Sequence, residues 1–175
     1  MRKNKAGYGL EKYVELLYKD LGYKNVIRNV IFRMSKGDYA DAQIDLTYDG
    51  PLGNVVYVEC KYHSKGNVSF SEFAKFVQVL NILKIPKLPV IYRGELVTNT
   101  YFDKRTINSA EVERIKLIDK DGLIELEKKR NSLAGTIFAG LNSVEIYKNK
   151  GPKDVIKYLL NRALPIETQI KRYSA

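Results

Sequence analysis

Asp45, thirteen intervening residues, then Glu59-x-Lys61 place two carboxylates and an ammonium in a short compass of chain. Those residue types can hold a hard cation through oxygen and set a positive side chain beside it. The stretch "VVYVECKYH" (55–63) alternates as a strand, with Tyr57, Glu59, Lys61 and His63 on one face and Val56, Val58 and Cys60 on the other. Upstream, "YADAQIDLTY" (39–48) reads as a second strand, and "DGPLGN" (49–54) between the two is turn chemistry. An antiparallel hairpin is therefore predicted. Positions 45 and 59 are equidistant from residue 52, so Asp45 is expected opposite Glu59, with Cβ atoms ~4.5–5.5 Å apart. Two carboxylates that close destabilise a sheet unless a cation lies between them. With Lys61 one pleat on, the set suits Mg²⁺ and a water oriented against a phosphodiester.

The remaining elements must carry this hairpin. "AGYGLEKYVELLYKDLGY" (6–23) reads as a helix, with Leu10, Val14, Leu17 and Leu21 at helical spacing and Gly22 as its stop. Glu11 flanks that apolar stripe and is a candidate third acid; Glu15, one turn on, reads as solvated helix face. "NVIRNVIF" (25–32) is the first strand. "VSFSEFAKFVQVLNIL" (68–83) is a largely apolar helix, with Ser69 and Glu72 forming a capping box. A strand in "LPVIYRGELVTN", a helix in "DKRTINSAEVER", a strand in "IKLID" and a helix in "DGLIELEKKR" follow. This order indicates an α/β sandwich with a mixed central sheet flanked by helices. Residues 1–130 read as the core and 131–175 as a C-terminal extension on the same domain, serving dimerisation or DNA contact. Within it "SLAGTIFAGLNSVEIYKN" is Gly-punctuated and unassigned, and "PKDVIKYLLNRAL" is a helix with Pro152 at its start.

Composition narrows the class. The chain has 175 residues, 45% hydrophobic and 29% charged, a folded rather than disordered profile. No apolar run reaches the ~20 residues of a membrane span, and the basic start lacks a signal peptide's apolar stretch. An intracellular, cytoplasmic protein without a membrane partner is expected. The single cysteine excludes an internal disulfide. Net charge is +10; residues 1–37 hold nine Lys/Arg against three acids, and 148–175 seven against two. Such polarised basic charge suits a polyanion, nucleic acid first, though it also serves solubility.

"IDL" followed by "VECK" resembles the signature of the PD-(D/E)XK nuclease superfamily, and within it the Mrr-type restriction endonucleases and archaeal Holliday junction resolvases. "GYGLEKYVELLYKDLGY" is similar to that group's Gly-x-x-x-Glu opening helix, with Gly7 and Glu11 in the matching places. "ELVTNTYFDKRTINSAEVERIKLIDKDGLIEL" resembles the end of the Mrr catalytic domain. The resemblance covers roughly residues 6–128 and implies a restriction endonuclease-like αβββαβ core. It implies that Asp45, Glu59, Glu11 and the Cys60 backbone carbonyl hold Mg²⁺, with Mn²⁺ as substitute. It further implies that Lys61 positions or helps deprotonate the attacking water, and that cleavage leaves a 5′-phosphate and a 3′-hydroxyl. One departure is "GDYADAQIDL", where the group commonly has Asp-Gly-Gly-x-Asp; Asp38 and Asp41 are read as loop residues.

Ser35, Lys36, His63 and Gln78 are candidate DNA contacts. Against each stands an ordinary structural role, a solvent-bonded strand-end histidine and a tolerated polar helix position among them. A metal-dependent DNA endonuclease is expected, selective for branched or junction DNA or restriction-like on duplex. A restriction enzyme normally carries a separate recognition domain, for which this chain has little room. Junction cutting needs two coordinated nicks, so a homodimer is expected. The alternative is a non-catalytic nucleic-acid-binding protein on the same fold, which should have lost part of the triad.

Overall fold

The structure is a computed structural model and describes residues 5–33, 41–89 and 91–174. It has the expected α/β architecture. Five strands lie in the order β1-β2-β3-β4-β5: β1 (Ile27–Phe32), β2 (Ala42–Asp49), β3 (Val55–Lys61), β4 (Gly94–Thr98) and β5 (Ile115–Ile118). The first three pair antiparallel and the last two join parallel, so the sheet is mixed. Helices α2 (Phe70–Ile82) and α3 (Lys104–Ala110) make the crossovers that parallel pairing requires. Residues 25–120 form one compact unit, the sheet unit. A second, terminal unit joins residues 1–24 to 121–175 and contains α1 (Lys5–Asp20), α4 (Lys120–Arg130, but for its first residue), α5 (Leu133–Lys150), α6 (Pro152–Arg162) and α7 (Ile166–Ser174). These units do not coincide with the division near residue 130 read from the sequence, because the opening helix groups with the chain's last third.

Within the sheet unit, Phe73, Phe76 and Leu80 of α2 form the core with Ile44, Leu96 and Ile115. Full burial of each such side chain contributes about 1.5–3 kcal/mol. Gly94 permits the approach, since a Cβ there would lie 2.9 Å from the Phe76 ring. The capping box is formed as its sequence implied: Ser69 accepts from the Glu72 backbone, and the Glu72 carboxylate accepts from Ser69 N–H at 2.9 Å. Asp103 caps α3 through Thr106 N–H and also accepts from Phe70 N–H at 2.6 Å, so one carboxylate orders the starts of both helices. Ser69→Ala should cost about 1 kcal/mol, seen as a lower thermal midpoint; an unchanged midpoint would remove the cap from the stability account.

The hairpin register is as predicted, with Leu46 opposite Val58 and Tyr48 opposite Val56. β2 is not regular, however. Ile44 belongs to the α2-facing core, whereas Leu46, two residues on, lies opposite Val58, away from Tyr57 and Glu59. Residues two apart normally share a face, so the strand turns over at Asp45. The pairing with β1 steps from Arg28↔Leu46 to Val30↔Ile44, and Asn29 between them has φ 58°. Asparagine tolerates that left-handed conformation better than most residues.

In the terminal unit α1 packs on α7 and α5. A Cβ on Gly9 would collide with the Ile170 carbonyl and the Ser174 hydroxyl. At Gly7, one of the two family-like positions, it would meet nothing within 4 Å. Gly22 (φ +82°) lies under the Phe138 ring, 2.6 Å from where a Cβ would sit. Glu15, expected on a solvated helix face, is instead buried, its charge met by Lys12 at 2.8 Å and Lys19 at 3.1 Å. A buried polar cluster surrounds Asp20, which accepts from Arg130 Nε at 2.7 Å, Arg162 Nε at 3.0 Å, Asn142 Nδ2 at 2.7 Å and the Tyr158 hydroxyl. Among the described residues no helix is long and apolar enough to cross a membrane.

Candidate active site

The third strand does what its alternation implied. Val56, Val58 and Cys60 are buried, while Tyr57, Glu59 and Lys61 are half-buried on the opposite face. Lys61 Nζ donates to Glu59 Oε1 at 2.6 Å. Asp45 comes to the same strand from β2: its Oδ2 accepts the Cys60 N–H at 2.8 Å. The interrupted ladder explains that bond, because a backbone N–H at this point of β3 is met by a side chain rather than by a strand carbonyl. Asp45 and Glu59 thus flank a single peptide unit, the one between Glu59 and Cys60.

Burial alone would lower the Lys61 pKa, but Glu59, then Asp45 and Glu72, outweigh it and hold it above the usual lysine value. Lys61 therefore carries its proton at neutral pH and acts as a cationic donor there. Its strand is fastened from β4: Thr98 Oγ1 donates to the Lys61 carbonyl at 2.7 Å, and Asn99 exchanges bonds with the His63 N–H (2.9 Å) and carbonyl (2.8 Å). His63 Nε2 lies 2.9 Å from Glu72 Oε1. Burial would raise the Glu72 pKa; the Ser69 backbone and hydroxyl and His63 together bring it below the usual value. Glu72, Thr98 and Asn99 are supporting residues that motif reasoning missed. The capping-box pattern marked Glu72, but nothing marked its second oxygen as a partner of His63.

Of the other candidates, Gln78 is exposed on α2 and takes no part in this hydrogen-bonded cluster. Ser35, Lys36 and Asp38 lie outside the described residues. Asp41 is exposed just before β2, in keeping with a loop position. Glu11 is on α1, in the terminal unit. Among the described residues no three His, Cys, Asp or Glu side chains converge as a ready chelate. Asp45 and Glu59 are two oxygen donors of the kind a divalent cation takes alongside water.

The restriction endonuclease family defined by the Mrr catalytic domain matches residues 3–126, well over half of the chain. The chain belongs to this family. In this chain Asp45 lies on β2, and Glu59 and Lys61 lie on β3, the two strands of one hairpin. A crystal structure of a protein of unknown function, AF1548, shares the fold with TM-score 0.57 at 18% identity over 95% of this chain and 93% of that one. Protein VC1899 from Vibrio cholerae gives TM-score 0.49 at 19% identity, covering 72% of this chain and 33% of its own. The MspJI restriction endonuclease, solved in complex with a 27-mer oligonucleotide, gives 0.41 at 16% identity, covering 89% and 36%. This chain thus spans about a third of the length of the latter two. No curated protein matches it significantly.

Proposed function

We propose that this Mrr-type protein is a divalent-metal-dependent DNA endonuclease, with Mg²⁺ as its metal and Mn²⁺ as substitute. The observation that carries this reading is the arrangement on β3: Asp45 bound to the Cys60 N–H, Glu59 bound to Lys61, all around one peptide unit. Asp45, Glu59 and the Cys60 carbonyl would hold the metal, which would polarise a phosphoryl oxygen and make a bound water more acidic. The Lys61 ammonium orients that water and stabilises the negative charge that builds on the phosphate. Hydrolysis leaves a 5′-phosphate and a 3′-hydroxyl. Thr98 and Asn99 hold the end of β3 against β4, which keeps the Lys61 stem in place. Glu11 enters this reading through the resemblance of its helix to the family's opening helix, and a Glu11→Gln variant tests it separately. The net charge of +10 favours a polyanionic substrate.

Branched or junction DNA and restriction-like cutting of duplex are both compatible with this chemistry; two coordinated nicks imply a homodimer. Linear duplex, flap and four-way junction should be cleaved with Mg²⁺ or Mn²⁺ and left intact with EDTA, and the preferred substrate decides between the two roles. Millimolar Mg²⁺ should also raise the melting temperature, by mass action on the folded state. Binding without cutting under every metal would sink the enzyme and leave a DNA-binding protein on a nuclease fold.

A further inference from the structure

The α5 helix carries an apolar stripe that its own chain leaves uncovered. Ile137, Leu141, Val144 and Tyr147 are each more than half exposed. Their spacing of four, three and three places them on one helix face. Gly140 lies on the same face, and a Cβ there would meet nothing within 4 Å, so packing within the chain does not require a glycine. Glycine in a helix interior costs ~1 kcal/mol relative to alanine. Ile137, Gly140, Leu141, Val144 and Tyr147 occupy the a, d, e, a and d places of a heptad, the pattern of a helix that seams with another. The next helix, α6, adds exposed Ile156, Leu159 and Leu160.

Single exposed apolar residues are ordinary on a soluble protein; this many on two neighbouring helices is not. Their exposed area is on the order of 800 Å², the amount that one partner of a standard interface buries. A polyanion is a poor occupant of the α5 stripe, since phosphate contacts need Lys and Arg. An apolar seam of this kind can meet its own copy about a two-fold axis. The stripe also lies beyond residue 126, where the match to the nuclease family ends.

We infer that α5 is the docking surface for a second copy of this chain, α5 against α5 about a two-fold axis with α6 at its flank. The contact stands on the exposed stripe alone; its use in coupling two cuts rests on the endonuclease reading. The test is the mass of the full chain in solution across the micromolar range. Wild type should sediment at twice the 20.1 kDa chain mass. Leu141→Glu and Val144→Lys should each weaken association by roughly 100-fold or more with unchanged helical circular dichroism. Ile137→Ser with Tyr147→Ser is the milder pair should a charged variant fail to fold. On a supercoiled plasmid the variants should still nick single strands but lose double-strand breaks. A monomeric wild type, or variants that remain dimers, would overturn the inference. So would stripe-dependent binding of wild-type monomer to phosphatidylserine-containing vesicles. If dimers form and the variants split them while no DNA is cut, the surface stands and the endonuclease reading fails.

Discussion

Glu59→Gln and Lys61→Ala should each reduce phosphodiester cleavage by roughly 10³-fold or more, since each removes a preorganised charge from the reacting centre. Glu59→Gln keeps the side chain's shape and can still accept from Lys61, but it halves the anionic charge offered to a metal. Lys61→Ala leaves Glu59 without the ammonium that donates to it at 2.6 Å and takes away a cation that Asp45's charge also favours. Its raised pKa gives the sign of the stability effect. The favourable pairing is fully present below the unfolded lysine value and is lost as pH rises through the higher folded one. The variant should thus be somewhat less stable at neutral pH, and the difference should vanish in strong alkali. Single-turnover nicking of a plasmid, with thermal melts of the same samples, separates the two effects. Cleavage by Glu59→Gln within tenfold of wild type would remove Glu59 from the chemistry. Lys61→Arg tests the role further, because it restores a cation in a bulkier and differently hydrated form.

Asp20→Ala should be the most damaging single change to the fold, costing about 3–5 kcal/mol. Arg130 is 1% exposed and spends its Nε on Asp20, with Glu127 and Gln169 on Nη1. Arg162 reaches the same Asp20 oxygen and also donates to the Arg130 carbonyl at 2.8 Å. Removing the carboxylate leaves the buried Arg130 with Glu127 as its remaining anion and takes away the acceptor of Asn142 and Tyr158. A fall in the urea midpoint with unchanged slope would be the expected signature. A loss below about 1 kcal/mol would mean that water reaches the cluster and replaces the lost acceptor. Asp20→Asn should fall between the two, since it keeps an oxygen but not the charge.

Local rules made the hairpin and its site legible. The turn at 49–54 set the register, and alternation put Glu59 and Lys61 on one half-buried face. Ser69 and Glu72 announced their capping box, and Pro152 its helix start. The reversal of β2 at Asp45 was hidden, because "IDL" alternates as any strand does and the irregular backbone lies partly at Asn29 on the neighbouring strand. Helix α5 escaped for another reason. Its glycines lower helix propensity, and an outward stripe added to an inward one blurs the single apolar face that periodicity detects. No local pattern marks Asp20 or Arg130, since each meets its partner 110 positions away. "LPVIYRGELVTN" shows the reverse error: β4 is confined to Gly94–Thr98, and before it Leu88 and Ile91 form an isolated bridge.

The terminal unit has a consequence for how the chain assembles. Asp20 meets Arg162 across 142 positions, and the close approach that Gly9 allows to α7 spans further still. The sheet unit is continuous in sequence, and its strand neighbours are also neighbours in chain order. During synthesis it can form as soon as residue 120 has left the ribosome. Helix α1 is made before the helices it packs on, α5 and α7, and must wait for both. Closing so long a loop is slow when disordered, and a folded insert replaces it with a link of fixed span. Until then α1 is a nascent amphipathic helix without those partners, which makes the interval before α7 emerges one of exposure to aggregation and to chaperones.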